Sequence, residues 1–131
     1  MRVLIADDRQ TSREALACWL KAEPDIEMVA QTGNGEEAVA LTRQHTPDVV
    51  LLATGMPSMD GLEATRVLRR ECPTVSVIVL ATLEQRTQAV AMVNAGAIGA
   101  VTTSQSPSAG YQAIGTYIDQ VRRAMGAGRS S

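Results

Sequence analysis

Five short apolar runs rich in β-branched residues recur along the chain at intervals of about 20 to 25 residues: Val3 to Ala6, Glu27 to Gln31, Asp48 to Ala53, Val75 to Ala81 and Ile98 to Thr102. Their length and near-continuous hydrophobicity predict strands buried on both faces. Between them lie segments with helical periodicity. The first opens with Thr11 and Glu14 in capping-box spacing and carries Leu16, Trp19 and Leu20 along one stripe. Asn34 and Glu37 repeat that start signal for the second helix. The third carries Leu62, Val67 and Leu68, and the fourth Ala89, Val90 and Val93. The fifth, after Pro107, carries Ile114, Ile118, Val121 and Met125. Strict alternation of strand and helix predicts right-handed crossovers, hence an α/β fold with a doubly wound parallel sheet of five strands and five helices. For five such units the expected strand order is 2-1-3-4-5. The domain is expected over residues 1–125. The stretch 126–131, Gly126-Ala127-Gly128-Arg129-Ser130-Ser131, is small, polar and Gly-rich, and reads as a linker or tail.

Composition narrows the class further. A chain of 131 residues has room for one compact domain and not two. Its apolar content of 45% and charged content of 20% are those of a globular protein. The formal charge of -2 supplies no broad positive field for nucleic acid. DNA contact is therefore expected only through a C-terminal domain outside this chain. Cys18 and Cys72 fall in the first and third predicted helices without metal-ligand spacing or a disulfide framework, so both are expected to be reduced. The opening apolar run is too short for a signal peptide, and no later run approaches the ~18 residues of a membrane span. A cytoplasmic location with no membrane contact is the expectation.

In this topology ligands bind beyond the carboxyl ends of the strands, where the strand order reverses. That rule points to Asp7, Asp8, Ala53, Ala81 and Thr103. Two carboxylates held ~4 Å apart repel by about 4 kcal/mol at an effective dielectric near 20, so a hard cation or a basic neighbour is expected to relieve the pair. Other features have plainer readings. Gly33-Asn34-Gly35 lacks a third glycine and is followed by Glu36 and Glu37, which would repel a pyrophosphate, so it reads as a helix-start turn. His45 has no nucleophile near it in sequence and reads as a solvent-facing residue after the second helix. Arg69-Arg70 and Arg122-Arg123 end helical stretches, where cations face the helix dipole. Tyr111 and Tyr117 are six apart and so lie on different faces of the fifth helix, one packed and the other exposed.

Taken together, Asp7-Asp8, Pro47-Asp48-Val49-Val50-Leu51-Leu52, Met56-Pro57-Ser58-Met59-Asp60-Gly61 and Ala95-Gly96-Ala97-Ile98-Gly99 resemble a response-regulator receiver domain over about residues 2–125. The resemblance implies a flavodoxin-like, CheY-like fold. The run Thr32 to Ala38 and the third helix are similar to the N-terminal domain of helix-turn-helix (LuxR/FixJ-type) transcription regulators. In that family an acidic pair and a phospho-accepting aspartate hold Mg²⁺, while a Ser/Thr and a Lys stabilise the transferring phosphoryl group.

Matched residue by residue, this chain lacks that set. The acceptor position is Ala53 and the hydroxyl position Ala81, with Thr82 one residue late and so facing the other way. The lysine position is Thr103, and the aromatic switch position after Gly99 is Ala100. The chain's single lysine is Lys21. One engineered replacement would explain Ala53 alone, whereas natural degeneration explains all four positions. No metal and no cofactor are expected, with Asp7 and Asp8 as weak metal candidates. Nor is an enzyme expected, since flavin-phosphate loops want hydroxyls and glycines where Asp7-Asp8 sit, and the Asp-x-Asp of aspartate phosphatases is absent. The resemblance implies an atypical receiver in two-component signalling and transcription regulation, phosphorylation-independent and acting as a homodimer or through a protein partner or ligand. The alternative is a small-molecule sensor using the degenerate pocket.

Overall fold

Five parallel strands, β1 (Arg2–Ala6), β2 (Glu27–Thr32), β3 (Val49–Ala53), β4 (Ser76–Ala81) and β5 (Gly99–Thr102), form one sheet in the order β2-β1-β3-β4-β5, as expected. The computed structural model describes residues 1–102 and 107–129, the side chains at 107–109 and 127–129 excepted. The helices are α1 (Gln10–Lys21), α2 (Gly35–His45), α3 (Gly61–Glu71), α4 (Arg86–Asn94) and α5 (Pro107–Arg129), with a 3₁₀ turn at Leu83–Gln85. No helix among the described residues is long and apolar enough to cross a membrane.

Alternation along the strands builds two cores. Val49 and Leu51 of β3 face Leu16, Ala17 and Leu20 of α1 and Ile114, Ile118 and Val121 of α5. Val50 and Leu52 face the other way, onto Ala38 and Val39 of α2, Ala64, Val67 and Leu68 of α3, and Ala89 and Met92 of α4. Every residue of β3 is buried, as a central parallel strand requires.

Several local expectations are corrected. Helix α1 does not start from a Thr11–Glu14 box. Its N-cap is Arg9, with no side-chain cap bond, because the Asp7 carboxylate ties the Arg9 amide and turns the chain into the helix earlier. Helix α4 buries Ala89 and Met92, whereas Val90 is 57% and Val93 38% exposed. His45 is the last residue of α2 and is half-buried, not solvent-facing. Tyr111 and Tyr117 are both half-buried: the first stacks on Trp19 with ring centroids 5.1 Å apart, and the second covers Gly99. Arg122 and Arg123 do not end α5, which runs on to Arg129 through most of the stretch read as a tail. Arg122 instead pairs with Asp119 and with Asp25, the latter on the loop before β2. Arg69 does serve the end of α3, donating to the carbonyls of Pro73 and Val75 at 3.1 and 3.4 Å.

Candidate functional site

The strands bring Asp7 and Ala53 to the same level at the carboxyl edge of the sheet. Ala6 pairs with Leu52, and the next residue along each strand is Asp7 or Ala53. Ala53 pairs with Leu80, and Ala81, one step further, pairs with Thr102. The loop after β3 closes over this edge. Asp60 caps α3 by accepting from the Glu63 amide at 2.9 Å, and the Gly61 amide donates to the Thr54 carbonyl at 2.7 Å. Gly61 sits so close that a Cβ there would lie 2.3 Å from the Ala53 carbonyl oxygen, so no larger residue fits. On the neighbouring loop Asn34 accepts from the Glu37 amide at 3.0 Å and donates through Nδ2 to Ser58 Oγ at 2.9 Å. Gly33-Asn34-Gly35 is thus a helix-start turn.

Asp7 is wholly buried and Asp8 is exposed. The Asp7 carboxylate accepts from the Arg9 amide at 2.9 Å, and Arg9 Nε and Nη2 reach its two oxygens at 3.4 Å each. Arg13 Nη1 donates to the Asp7 carbonyl at 2.7 Å. The basic neighbour expected for the acidic pair is thus Arg9 at Asp7, while Asp8 faces solvent. Sequence reasoning missed both arginines, although Arg9 follows the pair directly and Arg13 lies one helical turn beyond it. It also missed Thr54, next to Ala53, which is buried and whose Oγ1 has no hydrogen-bond partner among the described residues.

The Mg²⁺ that the family resemblance implies does not fit these residues. The Ala53 methyl offers no oxygen, and among the described residues no cluster of three or more His, Cys, Asp or Glu side chains could hold a metal. Mg²⁺ demands a near-octahedral shell of hard oxygens, and the Asp7 carboxylate is already engaged by Arg9.

Ala81 and Ala100 also open onto a groove beside α4. With Thr82, Ala89, Val90 and Val93 they line a cavity of about 230 Å³ between α4 and the β4–β5 edge, and Asp7, Asp8 and Ala53 are not among its lining. Ala100 is exposed, and its methyl stands at the position where the resemblance implies an aromatic switch. Thr82 begins the 3₁₀ turn, its amide donating to Gln85 Oε1 at 3.0 Å. Thr103 lies outside the described residues.

Comparison with known proteins places this arrangement. The response regulator receiver domain profile matches residues 3–114. The transcriptional regulatory protein LiaR of Bacillus subtilis is 38% identical over 98 residues, which is 75% of this chain and 46% of LiaR. A protein-glutamate methylesterase/protein-glutamine glutaminase of Nocardioides is 37% identical over 125 residues, 95% of this chain and 34% of that protein. The chain therefore spans half or less of these relatives. Among solved structures, a LuxR-family DNA-binding response regulator from Staphylococcus aureus superposes with a TM-score of 0.81 at 28% identity, covering 92% of this chain and 97% of that one. The fold, the sheet order and the sequence profile agree, and the chain belongs to the response regulator receiver domain family.

Proposed function

We propose that this receiver domain regulates without aspartyl phosphate, through surfaces that are competent from the outset or are set by a partner or ligand. The observation that carries this reading is Ala53, whose methyl group ends β3 at the level of the acidic pair. A methyl group supplies neither nucleophile nor ligand oxygen. Ala81 and Ala100 support the same reading, since neither offers a hydroxyl or an aromatic ring to respond to a phosphoryl group. A domain without that switch still regulates if its output state is already populated. The default assembly is an isologous homodimer. The match to LiaR favours a role in transcription, with DNA contacted by another domain.

The test is intact-mass measurement after incubation with Mg²⁺ and acetyl phosphate. No gain is expected, and a gain of one phosphoryl group, mapped to Asp7, Asp8 or Asp48, overturns the reading.

A second reading, small-molecule sensing, is favoured by the cavity beside α4. It shifts the ligand from the acidic end to the Ala81–Ala100 side. A metabolite that raises the melting temperature of the parent chain should lose that effect in Ala100→Leu, which places a larger side chain in the cavity from an exposed position.

A further inference from the structure

We infer that Arg9 is the resident counter-ion of the acidic end: its guanidinium takes the place in the charge balance that a divalent cation would otherwise fill, and the site is metal-independent. A fully buried carboxylate is tolerated only with a charged or hydrogen-bonding partner. Asp7 is 0% exposed, and the charged side chain beside it is Arg9, set over both carboxylate oxygens by Nε and Nη2. That planar fork is the geometry in which an arginine meets a carboxylate best. Arg9 itself is 44% exposed, so its guanidinium links the buried oxygens to solvent. Arg13 adds a second guanidinium on the Asp7 carbonyl. The buried Asp7 carboxylate and Arg9 thus form a formally neutral pair, with the Arg13 guanidinium beside it on the Asp7 carbonyl. A divalent ion arriving there meets no net negative charge to repay the loss of its hydration. Ala53 and Arg9 act in the same direction, one deleting a metal ligand and the other occupying one that remains.

The inference concerns charge balance and does not depend on phosphoryl chemistry, because metal response and phosphate uptake are read in separate experiments. It is tested by thermal melting of the whole chain in metal-free buffer and in millimolar MgCl₂. The parent is expected to shift by less than about 1 °C on adding Mg²⁺. Arg9→Gln should melt about 3 °C or more below the parent without metal and recover part of that loss with Mg²⁺. Combining Arg9→Gln with Ala53→Asp should give a Mg²⁺-dependent rise of about 5 °C, larger than Ala53→Asp shows with the arginine in place. Asp7→Asn combined with Arg9→Gln should melt above Arg9→Gln alone, because both charges leave together. That pair keeps the test decisive if Arg9→Gln does not fold. Mg²⁺ stabilising the parent as strongly as Arg9→Gln overturns the inference, and so does an Asp7→Asn/Arg9→Gln variant no more stable than Arg9→Gln.

Discussion

At the scale of single residues, Asn34 and Thr11 make a controlled pair. Both stand where the sequence suggests a helix cap, yet only Asn34 accepts from the amide three residues on, while also holding Ser58 across the loop after β3. Asn34→Ala is expected to cost about 1 to 2 kcal/mol in urea unfolding, the upper half of that range reflecting the lost Ser58 bond. Thr11→Ala should stay within about 0.5 kcal/mol of the parent, as for any exposed residue without a cap bond. Equal losses in the two variants would show that helix starts are not distinguished by these side-chain bonds. The same contrast explains why the acidic end was only partly legible. Asp7, Asp8 and Ala53 stand at strand ends, which periodicity locates. Arg9 and Arg13 act through side-chain direction, and a linear sequence does not reveal which of several exposed arginines folds back onto a buried carboxylate.

Among the elements, α4 and α5 show two ways of seating a helix on a parallel sheet. The apolar residues of α4 at 89, 90, 92 and 93 form a stripe wide enough to face inward on either side, and branched Val90 and Val93 look the better core residues by type. Packing chooses Ala89 and Met92 instead. Small Ala89 lets α4 approach the sheet, and the flexible thioether of Met92 reaches so near Gly61 that a Cβ there would touch its methyl at 2.7 Å. On α5 the fit depends on an absence: Tyr117 lies over Gly99 so closely that an added Cβ would come within 2.2 Å of the ring. Gly99→Ala should therefore destabilise by about 2 kcal/mol, through overpacking at the edge strand β5. Combining it with Tyr117→Ala should cost less than the two single changes together. Additive losses in chemical denaturation would mean that Tyr117 is free to swing away.

Over the whole molecule, the topology was the most legible property. Alternating strands and helices leave few arrangements once crossovers must be right-handed, and 2-1-3-4-5 is the common one for five units. What the pattern leaves open is the outer surface, where Leu83 before α4 and Val90 and Val93 on it remain 38% to 57% exposed. We expect these α4 side chains to form the contact surface of the proposed assembly. Sedimentation velocity is expected to show a dimer that Val90→Glu converts to monomer; a parent that stays monomeric at high concentration removes the constitutive assembly from the proposed function. The stacked pair on the opposite side of the sheet has a practical consequence. Trp19 is the chain's one tryptophan, and Tyr111, its stacking partner, belongs to α5. Excited where tyrosine does not absorb, the indole is an optical reporter whose emission and near-ultraviolet dichroism track the seating of α5 against α1. A binding event that loosens this helix pair without unfolding the sheet would be seen in that signal while the far-ultraviolet spectrum stayed unchanged.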